Sequence, residues 1–346
     1  MVDNARLVLI TGATGYVGTA VATRIAKKYR VRAVDTQLFG NAIADVPNIE
    51  FGTMDIQNEQ AIRRAMFGVT DVIHLAGVVT DELVDMNHAK AIRVNVLGTE
   101  IVTQAAFDFG VKRFVYASSS SVYGAQDEVC TEESTPRPQS VYAATKLVGE
   151  DIVNRYGRRR ATNGNMSVVS VRSSTCCGPS PRMRLDTIVN IFSKQAYYDG
   201  KITVWDGSQY RTNAHIDDVA RLYEFLLDAP AEKINGEAFN FTSGNHTAEE
   251  LAEIVRKTVI LENTVKLAPH TYGAQNVEVT IDKSKVDKRS YRMNASKLER
   301  VLGFKPEKTI EDAVRDNIAY FKSGKMGDPN SDLYLNTKRM AGVMKE

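Results

Sequence analysis

The sequence has little cysteine and little charge imbalance, and it lacks any long apolar run. Its 346 residues include three cysteines, two of them adjacent (Cys176 and Cys177), which excludes a disulfide framework and zinc-binding spacing. The formal net charge of +2 argues against a nucleic-acid-binding protein, which usually carries a concentrated basic face. No apolar run approaches ~18 residues, and no charged segment followed by an apolar one opens the chain. We therefore expect a cytoplasmic protein without a metal site, a membrane segment or a nucleic-acid partner.

The first half of the chain alternates short β-branched runs with segments of helical periodicity. The runs RLVLITG, VRAVD, NIEF, DVIHLAG, RFVYAS and MSVVSVRS are typical of strands, and helical patterns separate most of them. Strands connected by helices predict right-handed crossovers and a mostly parallel sheet covered on both faces. The sequence therefore predicts an α/β fold with a doubly wound parallel sheet and a smaller C-terminal α/β lobe.

A glycine-rich turn joins the first predicted strand to the first predicted helix. In TGATGYVG, Gly12 allows the tight turn, Gly15 lets the backbone approach a pyrophosphate, and Gly18 lets helix and strand pack closely. Asp35 ends the next strand, where its carboxylate can accept hydrogen bonds from an adenosine ribose and would repel a 2′-phosphate. This pattern predicts a Rossmann domain that binds NAD rather than NADP.

The domain boundaries follow from where this alternation stops. We expect residues 1–172 to form the NAD-binding domain, with residues about 203–230 returning to it. Residues 173–202 and 231–322 would form the substrate-binding lobe. The tail, residues 323–346, is polar and weakly periodic, which predicts a loosely wrapped or disordered segment.

A serine run and a tyrosine–lysine pair contain the candidate catalytic residues. YASSSSVYG, residues 116–124, places four serines directly after an apolar run. Tyr142 and Lys146 lie four residues apart on a predicted helix, so their side chains share one face. A lysine ammonium near a phenol lowers the phenol pKa from ~10, and tyrosine can then act as a base near neutral pH.

Together these motifs resemble the extended short-chain dehydrogenase/reductase family, in particular its nucleotide-sugar epimerase/dehydratase group, which includes enzymes like UDP-glucose 4-epimerase. The resemblance covers nearly the whole chain, through TGATGYVG, HLAG, NVLGT, SSSSVYG, YAATK, CGPSPRMR and RTNAHIDDVA. It implies that Ser119, Tyr142 and Lys146 are catalytic, with Ser119 bonding the 4-hydroxyl of a nucleotide-diphosphate sugar. It also implies a homodimer formed through the helices that carry Asn95 and Tyr142.

The resemblance further implies which residues contact NAD. Tyr16 and Val17 would offer backbone groups to the phosphates, Asp55 and Ile56 would lie at the adenine, and Asn95 would support the active-site helix. The complete implied set is Gly12, Gly15, Tyr16, Val17, Gly18, Asp35, Asp55, Ile56, Leu75, Ala76, Gly77, Asn95, Ser118, Tyr142 and Lys146.

The serine run lacks carboxylates that some relatives need. In this family the 4,6-dehydratases carry an Asp-Glu pair directly after the catalytic Thr, and the decarboxylases carry a glutamate at the second of these positions. Here Ser120 and Ser121 stand there, and they do not titrate near neutrality. This favours a nucleotide-sugar 4-epimerase that transfers a hydride at C4 through a transient 4-keto sugar. A C4 dehydrogenase that releases the keto sugar, a 4,6-dehydratase and a non-catalytic NAD-binding regulator stay open as alternatives.

Basic residues in the second half fit an anionic substrate, because arginine forks match phosphate oxygens. Arg182, Arg184, Arg211 and Arg289 are candidates, and Arg211 corresponds best to the family's phosphate arginine. The resemblance implies a substrate set of Ser119, Ser120, Thr175, Arg184, Asp186, Arg211 and Arg289. Thr175 stands where the family has Asn and Val79 where some epimerases have Lys, so the nucleotide and the sugar stay open. His74, His215 and the adjacent cysteines are expected to have packing or anchoring roles.

Overall fold

The computed structural model describes residues 2–159, 165–264, 276–284 and 290–345. Its strands, in chain order, are β1 (Asp3–Thr11), β2 (Tyr29–Asp35), β3 (Ile49–Thr53), β4 (Asp71–His74), β5 (Arg113–Ala117), β6 (Val129–Cys130), β7 (Ser167–Ser173), β8 (Thr175–Cys177), β9 (Lys201–Trp205), β10 (Tyr210–His215), β11 (Glu237–Phe241), β12 (Gly244–Thr247), β13 (Glu278–Asp282) and β14 (Arg292–Met293).

The helices surround these strands. In chain order they are α1 (Tyr16–Ile25), α2 (Glu59–Ala65), α3 (Asp81–Met86), α4 (His88–Ile92), α5 (Gly98–Asp108), α6 (Val141–Gly157), α7 (Ile188–Lys194), α8 (Ile216–Asp228), α9 (Ala231–Ile234), α10 (Ala248–Thr264), α11 (Ser296–Leu302), α12 (Ile310–Lys322) and α13 (Asn336–Lys345). A π-helical turn, Arg93–Leu97, joins α4 to α5, and another, Gln195–Asp199, follows α7. None of the helices in the described part of the chain is both long enough and apolar enough to cross a bilayer.

The predicted parallel sheet is confirmed. Seven strands form it in the order β11-β7-β5-β4-β1-β2-β3, and every pairing in it is parallel. The chain winds outward from β1 through β2 to β3, then returns to β4 and winds the other way. The topological switch point therefore lies between β1 and β4, and ligands of such sheets bind outside the strand ends at this point.

Helices bury both faces of the sheet. On one face α1 and α8 contribute Val21, Ile25, Leu222 and Leu226 to a buried cluster. On the other face α2, α5 and α6 contribute residues such as Ile62, Val102 and Val153 to a second cluster. Covering both faces explains why the central strands are nearly continuous apolar runs in the sequence rather than alternating ones.

The segment that returns to the main domain differs from the prediction of about 203–230. β9 pairs with β13, and β10 pairs with β8 and β12, so both strands belong to small sheets of the lobe. Of the predicted range, α8 does return to the main sheet. β11, which lies beyond that range, adds the seventh strand beside β7. This strand was missed because EAFNF is short and carries a polar residue at a buried position. Asn240 is fully buried there, and its side chain accepts a hydrogen bond from Tyr123 Oη at 2.7 Å.

The C-terminal tail is also more ordered than its composition predicts. Its last ten described residues form α13, which packs against α3. Met340 and Met344 are the buried side chains of this helix that join an apolar cluster with Leu83 and Val84. Two methionines one turn apart give too weak a periodic pattern for the sequence to predict this docking.

Candidate active site

A cavity of about 970 Å³ lies at the carboxyl ends of the main strands, between the sheet and the lobe. It brings together predicted site residues from separate parts of the chain: Tyr16, Val17, Leu75, Ser118, Ser119, Ser120, Tyr142, Lys146, Thr175, Arg184, Asp186 and Arg211. The predicted Arg289 lies outside the described residues.

The four serines of the run have different partners. Ser118 donates to Glu150, which forms a buried ion pair with Arg172 at 2.7 Å. The Ser119 hydroxyl accepts hydrogen bonds from the backbone N–H and the hydroxyl of Ser121, at 3.2 and 2.9 Å.

The remaining serine faces the lobe. Ser120 Oγ lies 2.9 Å from Tyr291 Oη. Ser119 is the serine of the run that hydrogen-bonds with Tyr142. The other three bond elsewhere: Ser118 to Glu150, Ser120 to Tyr291 and Ser121 to Ser119.

Helix α6 positions the predicted base. Ser140 caps its first turn by accepting a hydrogen bond from the Ala143 N–H at 3.1 Å, and Ser140 Oγ itself donates to Asp81 at 2.6 Å. The cap fixes the start of the helix, so that Tyr142 and Lys146 both line the cavity one turn apart.

The expected lowering of the Tyr142 pKa is not found. Burial raises the pKa of Tyr142 to about 12, while hydrogen bonding with Ser119 and the charge of Arg184 act in the opposite direction. The sequence spacing shows the lysine one turn away but not how far the phenol is withdrawn from solvent, and this desolvation outweighs the favourable interactions.

Lys146 is itself almost fully buried. Its ammonium donates to the Ala117 carbonyl at 2.9 Å and lies 5.3 Å from the centre of the Tyr116 ring. Burial lowers the pKa of Lys146 to about 8. The ammonium is therefore mostly charged at neutral pH, and it supplies a fixed positive charge at the base of the cavity.

The glycine turn has a shape that fits a dinucleotide. Gly12 has φ +71°, and a Cβ at this position would lie 2.7 Å from the backbone nitrogen of Ala76. A Cβ on Gly18 would lie 2.0 Å from the Gly12 carbonyl oxygen. Within the described residues no side chain caps the first turn of α1, which begins after Gly15. The backbone N–H groups of that turn are thus presented to an anionic group, as in other dinucleotide sites.

Asp35 lies at the end of β2, beside this turn. Its carboxylate accepts hydrogen bonds from the Thr14 N–H at 3.0 Å and the Gln37 N–H at 2.9 Å. These bonds hold the carboxylate at the groove next to the glycine turn. A fixed negative charge there suits a ribose with free hydroxyls, in agreement with NAD as the cofactor.

Asn95 connects the end of β4 to α6. Its side chain accepts from the Val78 N–H at 2.7 Å and donates to the Val78 carbonyl and to Thr145 Oγ1, both at 3.0 Å. A Cβ on Gly77 would lie 3.0 Å from Asn95 Oδ1. Asn95 thus holds the strand end and the active-site helix together, and a side chain at position 77 would crowd it.

Asp55 and Ile56 lie farther from the cavity. Asp55 is exposed and accepts from the Gln57 N–H at 2.8 Å. Ile56 is buried against Gly98, where a Cβ would lie 2.5 Å from its Cδ1. Their contact with the adenine stays a prediction.

Two of the predicted substrate arginines line the cavity. Arg184 donates a hydrogen bond to Asp186 at 2.5 Å. The positive charge of Arg184 also acts to lower the pKa of Tyr142, so the two side chains interact electrostatically across the cavity. Arg211 lies on β10 and donates to the Tyr210 carbonyl at 2.9 Å.

Arg182, the third candidate, is placed elsewhere. It is 5% exposed and bonds Asn336 Oδ1 at 2.6 Å and the Leu333 carbonyl at 3.2 Å. It does not line the substrate cavity and packs instead against the C-terminal tail, so its proposed contact with the substrate was wrong. The sequence marked it as an arginine near a loop and could not show that residues about 150 positions later cover it.

Sequence reasoning missed several residues of the cavity wall. Tyr291, Trp205 and Gln209 line it from the lobe. The signal that could have identified Tyr291 was its place beside Arg292 in the KRSYR segment. The tyrosine of this segment contacts Ser120 of the serine run.

The lone histidines and the adjacent cysteines have the packing roles expected of them. His74 is buried between Thr11 and Thr99, with nitrogen–oxygen distances of 2.6 and 3.0 Å. His215 caps α8 by accepting from the Asp217 N–H at 3.1 Å.

Burial raises the pKa of the Cys176 thiol to about 11 and raises that of Cys177 further. Neither thiol is therefore a reactive nucleophile.

Comparison with known proteins agrees with this arrangement. A family model described as "NAD dependent epimerase/dehydratase family" matches residues 8–241. A dTDP-glucose 4,6-dehydratase of Neisseria gonorrhoeae is 26% identical over 356 residues, covering 95% of this chain and 99% of the relative. A UDP-glucuronate 4-epimerase of Thermodesulfobacterium geofontis is 26% identical over 329 residues, covering 91% of this chain and 95% of the relative.

A solved structure shows the same fold. MoeE5 in complex with UDP-glucuronic acid and NAD superposes with a TM-score of 0.75 at 25% identity, covering 92% of this chain and 99% of that one. The dehydratase and the epimerase are equally similar to this chain, so sequence identity alone does not determine which reaction it catalyses. The side chains at the site have to be compared for that purpose.

Proposed function

The chain belongs to the NAD-dependent epimerase/dehydratase family, and we propose that it is a nucleotide-sugar 4-epimerase acting through a transient 4-keto sugar. One observation carries the proposal. The two positions after Ser119 hold hydroxyls, of which Ser120 pairs with Tyr291 and Ser121 with Ser119. Hydroxyls cannot serve as the acid and base that expel water across two carbons. The site therefore retains a proton shuttle at a single carbon.

The proton shuttle consists of Ser119, Tyr142 and Lys146. Tyr142 Oη takes the proton of the sugar 4-hydroxyl, while the Ser119 hydroxyl bonds the same oxygen and orients it. Tyr142 makes this transfer as the phenolate, which burial disfavours, while hydrogen bonding with Ser119 and the charge of Arg184 act against burial. In the proposal the Lys146 ammonium one turn away adds to these two effects. When bound, NAD supplies the acceptor and then the donor for the hydrogen at C4. Tyr142 Oη finally returns the proton to the oxygen of the inverted product.

Two features support a nucleotide-diphosphate sugar as the substrate. Arg184 and Arg211 place two guanidinium groups on the lobe side of the cavity, where they suit phosphate oxygens. The cavity volume of about 970 Å³ is at the upper end of the ~300–1,000 Å³ typical of ligand sites. The role of Arg289 as a further phosphate partner stays part of the proposal.

We also propose that the protein is a homodimer formed through the helices around Asn95 and Tyr142. Large apolar side chains on these helices are unusually exposed: Ile92 at 44%, Leu97 at 49% and Val148 at 41%. A second copy of the same surface would bury them. Light scattering on the purified protein tests this, and a monomer at micromolar concentration would contradict it.

Incubation with UDP-, GDP- and dTDP-hexoses tests the reaction. We expect one of these sugars to be converted to its C4 epimer without a net rise in reduced-nicotinamide absorbance. A keto sugar formed in step with that absorbance would identify a C4 dehydrogenase, and a 4-keto-6-deoxy product would identify a dehydratase. Either of these results would overturn the proposal.

A further inference from the structure

We propose that residues 331–345, here called the strap, close over the NAD groove and limit the rate at which the dinucleotide leaves. The inference needs only NAD binding, and it does not depend on which sugar reaction the enzyme catalyses. It assigns a cofactor-retaining role to a segment that lies outside the glycine turn and the catalytic residues.

The helix α13 is bonded to the segments that follow β2 and β4, on the two sides of the groove. Arg339 Nε donates to the Leu38 carbonyl at 2.8 Å, three residues beyond Asp35 at the end of β2. At the other end, Asn87 Nδ2 donates to the Met344 carbonyl at 3.1 Å and Lys90 Nζ to the Val343 carbonyl at 2.5 Å.

The sheet order shows what lies between these anchors. β2 and β4 are the two neighbours of β1, and Asn87 and Lys90 belong to the segment that follows β4. From these two anchors we infer that α13 lies across the carboxyl end of β1, where Gly12 makes the glycine turn. The anchored residues Arg339 and Met344 are ~7.5 Å apart along the helix axis. The side chains of Arg339, Asn87 and Lys90 supply the rest of the ~10 Å that two strand spacings measure.

The underside of the strap is apolar and joins both sides of the groove. Met340 is 7% exposed and Met344 1% exposed. The cluster that buries them draws on both sides and on the catalytic helix: Leu38 and Phe39 after β2, Val78, Leu83, Val84 and Ala91 after β4, and Tyr142. The strap is thus packed against both walls of the groove through buried side chains.

A buried cation lies beneath the start of the strap. The Arg182 guanidinium carbon is 3.8 Å from the centre of the Phe39 ring, and its Nη2 bonds Asn336, the first residue of α13. Arg182 Nε has no hydrogen-bond partner within the described residues. A buried guanidinium with an unused donor beside the glycine turn suits an anionic group of the dinucleotide.

The strap is also connected to the substrate side. The Asn336 N–H donates to Asp186 Oδ2 at 2.8 Å, and Asp186 accepts from Arg184 at its other oxygen. Between α12 and the strap, Gly324 and Gly327 both have φ +69° with no neighbouring atoms in reach of a Cβ. The chain can rearrange at these glycines when the strap lifts to admit or release the dinucleotide.

Point variants of the full-length chain test the strap from both sides of the groove. Arg339→Ala removes the anchor to Leu38, and Lys90→Ala removes the anchor to Val343 without changing the strap itself. Met344→Ala removes the buried contact. The matched control is Lys338→Ala. Lys338 lies on the same helix with a side chain 62% exposed, and its ion pair in the described part of the chain is with Asp332 of the strap, at 3.5 Å.

Two readouts are used, and neither is sugar turnover. One is the amount of NAD released from the purified protein by acid, per mole of chain. The other is the release rate of NADH, followed by its fluorescence after a chase with excess NAD. We expect each anchor variant to release NADH about tenfold faster and Met344→Ala at least as fast, whereas Lys338→Ala releases it at the wild-type rate.

Thermal unfolding of each variant separates this effect from loss of the fold. Wild-type release rates in Arg339→Ala, Lys90→Ala and Met344→Ala, with unchanged unfolding midpoints, would overturn the proposal. Equal acceleration by Lys338→Ala would overturn it as well, because it would show a general effect of altering the helix. An enzyme that turns over no hexose leaves this test intact, since only cofactor release is measured.

Discussion

The cofactor side and the substrate side of the cavity are built in different ways. On the cofactor side, Gly12, Asp35 and Leu75 lie at the carboxyl ends of three adjacent strands, β1, β2 and β4. On the substrate side, Arg184, Arg211 and Tyr291 come from separate segments of the lobe and of the chain. Backbone shape near the strand ends determines the first side, and side chains on distant segments determine the second. Short sequence motifs therefore predict the cofactor side and its chemistry, but they do not predict which substrate the other side binds.

The largest expected effect is at the proton shuttle where the two sides meet. Tyr142→Phe removes the group that we propose exchanges the 4-hydroxyl proton, and acid–base catalysis of this kind contributes ~10²–10⁴-fold to the rate. We expect kcat to fall by about this factor. Tyr291→Phe is the matched control, because it removes a phenol on the substrate side and should change KM more than kcat. Unchanged kcat in Tyr142→Phe would remove the basis of the assignment.

The second effect concerns the arginines of the substrate side. Arg211→Ala should raise KM for the nucleotide sugar about 10–100-fold, because a charge-assisted contact to phosphate is lost, with little change in the bound NAD. Arg158→Ala, at an exposed position after α6, serves as the control. Initial-rate kinetics with the active hexose checks this. Equal KM values for the two variants would mean that Arg211 does not contact the substrate.

The third effect sharpens the comparison on the cofactor side. Gly12→Ala places a methyl group 2.7 Å from the Ala76 nitrogen at φ +71°, and we expect most of the bound NAD to be lost. Gly40→Ala has a similar φ of +77° but no atom near its Cβ, so it should cost only ~1 kcal/mol of backbone strain. NAD content and thermal unfolding of both variants separate the two contributions. Equal NAD content in the two variants would show that the close packing of Gly12 against the Ala76 backbone is not needed for NAD binding.

The smallest effect is a change in stability with pH. Burial lowers the pKa of Lys146 to about 8 from its ordinary 10.5, so between these values the unfolded chain holds a proton that the folded chain does not. The free energy of unfolding therefore rises with pH through this window. Lys146→Met should lack that rise and be more stable at pH 7 by ~1–2 kcal/mol while losing activity. Urea unfolding from pH 7 to 10 checks this, and an identical pH slope in the variant would contradict it.

The sequence predicted the parts of the fold that obey local rules. The strands β1 to β5 and β7, the glycine turn and the pairing of Tyr142 with Lys146 depend on periodicity and short spacings. β11 was missed because its buried Asn240 breaks the apolar pattern. The start of the returning segment differs for another reason, because β9 and β10 pair with strands of the lobe.

The site was harder to predict where burial or distant contacts decide the outcome. The raised pKa of Tyr142 follows from desolvation, which no spacing reveals. Arg182 looked like a substrate arginine until its contacts with Leu333 and Asn336 were seen. Tyr291 was overlooked because its role depends on a contact 171 positions away.

The most direct test of the account follows the hydrogen at C4. A nucleotide sugar carrying deuterium at C4, chosen from the hexoses that turn over, is converted by the enzyme and the product is examined by NMR and mass spectrometry. The account predicts deuterium retained at C4 of the inverted sugar. Deuterium found at C6, or accumulating on the reduced nicotinamide, would contradict it.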